Sequence, residues 1–142
     1  MAHVASAEAV VCVNHILGKE VQPVNYANIP GCTYTTPEIA SVGLSEDKAK
    51  EQGYEIKVGK FSFMASGKAT AAGNRDGFVK IVLDAKTDLI LGCSMIGDNV
   101  TEMIEEIVVA RQMNLTGKQI LSTVHPHPTM SEGVMEALAS IE

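Results

Sequence analysis

His125-Pro126-His127-Pro128-Thr129-Met130-Ser131-Glu132 gathers two imidazoles, two prolines and a carboxylate near the end of the chain. Each proline bars the α region to the residue before it, so His125 and His127 are held extended. Thr129 to Glu132 reads as a Thr-x-x-Glu capping box opening a helix over 129–141, with Val134, Met135, Leu138 and Ile141 as its apolar positions. His127 therefore stands on a stiff lead-in, with Glu132 in the first helical turn. A carboxylate so placed orients an imidazole, fixes its tautomer and raises its basicity. Two plainer readings stand beside this one. Glu132 can cap its own helix while the histidines are ordinary loop residues, or His125 and His127 can form half of a metal site. The metal reading lacks third and fourth ligands at sensible spacing, and both imidazoles precede proline.

The elements that must position these residues follow from periodicity. Residues 2–17 form a first helix with Val4, Ala7, Val10, Val11, Asn14 and Leu17 on one stripe, and Gly18 stops it. Its other sides are apolar too, through Ala5, Ala9, Cys12, Val13 and Ile16, so it expects cover from another element. Pro23 and the asparagines of 19–28 mark a linker, with a domain boundary near residue 24. Strand signals follow at 29–34, 38–43, 54–63, 77–83 and 89–97. The last two flank Asp84 to Asp88 and predict an antiparallel hairpin. A short helix over 46–52 begins at Ser45, and 64–76 reads as a polar loop with a helical turn. Helices are predicted at 99–113, with Val100, Met103, Ile104, Ile107, Val108 and Arg111 on one face, and at 116–123 behind Thr116. Strands in the middle and helices at both ends give an α+β domain with an antiparallel sheet of about five strands. The apolar stripe of 99–113 and the terminal helix offer more surface than one small sheet covers, which predicts a symmetric homodimer.

Composition narrows the function classes. The chain of 142 residues is 46% hydrophobic and 20% charged, which suits one soluble globular domain. A net charge of −6 without a basic cluster argues against nucleic acid as a partner. No apolar run reaches the roughly 18 residues needed to cross a membrane. Residues 4–13 lack a basic start and are broken by Glu8, so they do not read as a signal peptide. Cys12, Cys32 and Cys93 are widely separated, with no C-x-x-C pair, and are expected to be reduced, buried thiols of a cytoplasmic or mitochondrial-matrix compartment. There is no G-x-G-x-x-G turn, P-loop or nucleophile elbow. A His–Glu pair without these is half of a catalytic apparatus. Either the chain is not an enzyme, or the other half comes from elsewhere.

Tyr34-Thr35-Thr36-Pro37-Glu38-Ile39-Ala40-Ser41-Val42-Gly43 and the His125 to Glu132 stretch resemble the C-terminal interface domain of the FAD-dependent pyridine nucleotide–disulfide oxidoreductases, of the dihydrolipoamide dehydrogenase kind. Gly77-Phe78-Val79-Lys80-Ile81, Leu91-Gly92 and Ile96-Gly97 are similar to that domain's central strands. Ala2-His3 and the helix after them resemble the segment that closes the FAD domain. The likeness extends over essentially all 142 residues.

The resemblance implies that the domain dimerises and that its His–Glu pair enters the active site of the other protomer. His127 would be the base that deprotonates a dithiol, Glu132 would orient it, and His125 would support them. A thiol with a pKa of about 8.5 needs such a base near neutrality. A cis His127–Pro128 bond is implied as well, and Ala2, His3, His127 and Pro128 would touch the flavin. Residues 1–23 would then be the last helix of a missing FAD domain plus a linker, and 24–142 the interface domain. The redox cysteine pair, the FAD-binding turn and the NAD domain are absent, so the chain would bind no cofactor and be silent alone. In the whole enzyme the implied reaction is oxidation of protein-bound dihydrolipoyl groups by NAD through FAD. The implied partners are a second copy and the lipoyl domains of 2-oxo acid dehydrogenase or glycine cleavage complexes. The corresponding domain of a glutathione-reductase-like enzyme, or a non-catalytic dimerisation module, are the alternatives.

Overall fold

In the computed structural model, which describes residues 1–141, the alternating segments become a five-stranded sheet in which every neighbouring pair is antiparallel. The strands are β1 (Gly31–Thr33), β2 (Glu38–Gly43), β3 (Ile56–Ser62), β4 (Phe78–Asp84) and β5 (Ile90–Gly97), in the spatial order β1-β2-β5-β4-β3. The β4–β5 hairpin lies near the centre, with Ile81 opposite Cys93 and Val79 opposite Met95. Val79, Ile81 and Leu83 alternate to one face and are fully or almost fully buried there.

Two helices cover that face. α4 (Val100–Gln112) packs across β2 and β5, and α6 (Glu132–Ala139) packs across β3 and β4. Their buried side chains, Met103, Ile104 and Ile107 from α4 and Val134, Ala137 and Leu138 from α6, merge with the strand residues in one core. α5 (Gly117–Leu121) adds Ile120 and begins with a complete capping box between Thr116 and Gln119. The opposite face carries α2 (Glu46–Glu51), capped by Ser45, with an ion pair of 2.8 Å between Glu46 and Lys80. A short α3 (Gly67–Ala72) follows Phe63, whose fully buried ring sits between the sheet and α6. The architecture is the expected α+β one.

α1 (Ala2–Ile16) has no buried residue, so this domain does not supply the cover its apolar sides call for. It touches the rest mainly through Tyr26, whose hydroxyl donates to Glu8 at 2.6 Å, and His3, 3.2 Å from the Pro30 carbonyl oxygen. Two expectations change. Cys12 is therefore exposed on α1, and Cys32 is half-buried because β1 is an edge strand; of the three thiols Cys93 alone is buried. The apolar stripe of α4 is not left over for a partner, since Val100, Met103, Ile104 and Ile107 are buried against the chain's own sheet. Four or five side chains at helical spacing are what a single sheet face absorbs.

Candidate active site

Glu132 opens α6, and the packing beneath it fixes where its carboxylate stands. Gly133 lets the first turn lie directly on the sheet. A Cβ there would come within 3.0 Å of the Phe63 ring and 3.2 Å of Val79. From this position Glu132 divides its two oxygens. Oε1 meets His127 Nδ1 at 2.7 Å, and Oε2 accepts the Thr129 backbone N–H at 2.8 Å. The expected helix start at Thr129 is corrected by this arrangement. Helix begins only at Glu132, and Thr129 Oγ1 donates to the Pro126 carbonyl at 2.7 Å, so it caps nothing. Half of the capping box survives, the half made by Glu132.

Electrostatics settles the tautomer. The Thr129 N–H first, and the His127 ring second, hold the Glu132 carboxyl below the usual carboxylate range, and the His125 ring acts in the same direction. At neutrality Glu132 is ionised and can only accept. In the neutral imidazole, His127 Nδ1 therefore carries the hydrogen, which leaves the Nε2 lone pair free on a side chain that is 77% exposed. Such an imidazole, oriented on one nitrogen and open on the other, is able to take a proton from a group brought to it. The His127–Pro128 peptide bond is cis, as the resemblance implied, and Thr36–Pro37 is cis as well.

His125 lies apart from this pair. Its side chain is only 5% exposed, with Nε2 2.9 Å from Glu106 Oε1 on α4 and Nδ1 3.3 Å from the Thr123 carbonyl oxygen. Glu106 escaped the reading of the sequence, because nothing local marks a helical glutamate whose partner lies 19 residues away. Ala2 and His3 are exposed at the start of α1, and His3 lines a groove with Val108 and Met113, whereas Pro128 lines another with Lys68 and Met103. The fold does not gather these four cofactor candidates in one place. No group of three or more His, Cys, Asp or Glu among the described residues is placed to hold a metal ion. None of the described helices is long and apolar enough to cross a membrane.

With this geometry established, known proteins can be set beside it. Residues 29–138 match the family model for the pyridine nucleotide-disulphide oxidoreductase dimerisation domain. A dihydrolipoyl dehydrogenase of Zymomonas mobilis subsp. mobilis is 50% identical over 139 residues, 97% of this chain and 30% of its own length. A dihydrolipoyl dehydrogenase of Bacillus subtilis is 50% identical over 137 residues, 96% of this chain and 29% of its own. Among solved structures, LpdA from Mycobacterium tuberculosis superposes with a TM-score of 0.91 at 26% identity, covering 98% of this chain and 30% of that one. The chain thus spans about 30% of the length of the proteins it matches.

Proposed function

The chain belongs to the pyridine nucleotide-disulphide oxidoreductase family through its dimerisation domain, and from that premise we propose that it is the interface domain of a dihydrolipoyl dehydrogenase whose acid–base pair is His127 and Glu132. The observation that carries the proposal is the divided carboxylate of Glu132, which binds its own loop with one oxygen and the imidazole with the other. Relatives that share half of its residues bear the dihydrolipoyl name, which favours this substrate over glutathione.

In the proposed reaction, His127 Nε2 removes the proton of one thiol of a dihydrolipoyl group. The thiolate attacks a sulfur of the enzyme's redox disulfide, breaking that S–S bond and forming a mixed disulfide. The second thiol gives its proton to the enzyme thiolate released in that step, attacks the mixed disulfide and closes the lipoyl ring. The second enzyme thiolate takes back the proton held on His127, leaving two electrons on the enzyme's dithiol. That redox pair lies outside this chain. Cys93 is buried with its thiol pushed up to about 12, so it stays protonated and inert. FAD and NAD belong to the proposed whole enzyme, where a bound flavin would supply an acceptor for the dithiol's two electrons. An antiparallel sheet without a Gly-rich strand-to-helix turn is no nucleotide cradle. Other domains would hold both, with Ala2, His3 and the exposed His127–Pro128 segment as this chain's points of contact. The proposed partners are a second copy of the chain and the lipoyl domains of 2-oxo acid dehydrogenase or glycine cleavage complexes. The proposed compartment is the cytoplasm, or the mitochondrial matrix in a eukaryote.

Replacing His127 by Gln in the complete enzyme tests the base. Reaction with dihydrolipoamide is expected to fall about 10²–10⁴-fold, while NADH oxidation by artificial acceptors, which needs no base at a dithiol, continues. A loss under about tenfold ends the assignment.

A further inference from the structure

We infer that Glu106 is a positioning residue, which acts through the buried His125 ring to hold the His127 loop in its working geometry. The inference rests on the reading of His127 as a base only for its kinetic consequence.

The loop between α5 and α6 has few anchors of its own. Val124 is 97% exposed and the His127 side chain 77%. Between them His125 turns inward, its side chain 5% exposed, and spans two elements by bonding Glu106 of α4 and the Thr123 carbonyl. α4 is fixed to β2 and β5, so Glu106 ties the loop to the most deeply packed part of the sheet. Glu132 holds His127 from the α6 side, and Glu106 holds the chain two residues earlier from the α4 side. With both in place, the backbone of His127 is suspended between two helices that are packed on different strands. With Glu106 removed, the His127 ring can still reach Glu132 but loses its fixed approach.

The hydrogen-bond pattern also says which substitutions inform. Both partners of the His125 ring are acceptors, because a carbonyl oxygen can only accept and so does an ionised carboxylate. The contact at Nε2 therefore needs a proton shared along the Nε2–Oε1 line. An amide at position 106 satisfies the ring in either state, as acceptor through its oxygen or donor through its nitrogen, whereas a methyl group satisfies neither.

The test compares Glu106→Ala with Glu106→Gln by two independent readouts. In the 142-residue chain, nitrogen-15 imidazole NMR reports the tautomer of His127. The wild type and Glu106→Gln are expected to show Nδ1–H alone, and Glu106→Ala mixed Nδ1–H and Nε2–H tautomers, because the loosened loop leaves Glu132 part of the time. In the complete enzyme, Glu106→Ala is expected to lower kcat for dihydrolipoamide about tenfold with KM within twofold, and Glu106→Gln to restore it. A purely structural role would lower stability and leave the His127 tautomer unchanged, and that result overturns the inference. Should Glu106→Ala fail to fold, His125→Leu keeps the site apolar and leaves Glu106 its partial exposure. The same mixed tautomers are expected there, and an unchanged His127 again overturns it. If His127→Gln proves harmless to activity while the tautomer still responds to Glu106→Ala, the positioning stands and the base assignment falls.

Discussion

Glu132 does two jobs with one carboxylate, and both depend on its charge. Its carboxyl is held below the ordinary range by the Thr129 N–H and then the His127 ring. The folded chain thus releases this proton at a lower pH than the unfolded chain, whose glutamates titrate near about 4.3. The resulting stability is complete above that value and is lost as pH falls through the depressed folded value. Glu132→Gln has one acceptor oxygen for two donors, so at pH 7 it is expected to unfold about 1 kcal/mol more easily. Urea titrations should show that gap narrowing steadily as pH falls below the unfolded value, and a gap that does not change with pH would mean that the charge contributes nothing. In the complete enzyme Glu132→Gln should cost less activity than His127→Gln, because an amide oxygen can still orient the ring. The His127–Glu132 pairing was legible because both residues lie within one short motif. Glu106 was not, since burial and a crossing of helix over loop bring it to His125, and neither leaves a local trace in the residue order.

The position of α6 is set from the strand side. Gly59 on β3 lies so close beneath α6 that a Cβ there would overlap the Ala137 carbonyl oxygen. A backbone carbonyl cannot rotate away as a side chain does, so Gly59→Ala must lift the whole helix. The expected cost is about 1–3 kcal/mol, read as a lower denaturation midpoint. The lift should also swing Glu132 out of reach of His127, so the imidazole NMR signature of the pair should fade with it. Gly67→Ala, where nothing stands within 4 Å, is the control and should change neither. If Gly59→Ala is as stable as that control, the close packing of β3 and α6 is not what places Glu132. The sheet itself was legible because Tyr54, Ile56 and Val58 alternate with Glu55, Lys57 and Gly59 into β3 and because Asp84 to Asp88 marks a turn. The start of α6 was not, for Thr-x-x-Glu is compatible with two hydrogen-bond patterns. Thr129 takes the one in which its hydroxyl turns back to Pro126.

At the scale of the molecule, the surfaces available to a partner are not those the helical stripes suggested. α4 and α6 spend their buried stripes on the chain's own core, so those stripes are not what a second copy would cover. What remains exposed includes Val109 at 51%, Met113 at 66% and Val124 at 97%, with Val10 and Ile16 on the uncovered α1. Val124 stands immediately before the anchored His125, and His127 faces outward with no thiol of this chain to serve. A base directed outward suits reacting sulfurs supplied from outside this domain, and in the proposed homodimer a symmetric pair exchanging loops would supply them. Val124 would then be covered where the loop enters the second subunit, and an aspartate there would be a charge taken out of water without a partner. In the complete enzyme Val124→Asp is expected to shift sedimentation toward monomer at micromolar concentration. Dihydrolipoamide oxidation should fall in step with the dimer fraction, and raising the protein concentration should restore part of it. A Val124→Asp enzyme that stays dimeric and fully active removes Val124 from the interface. A wild-type chain that stays strictly monomeric at high micromolar concentration counts against the dimer itself, and with it the delivery of His127 to a second subunit.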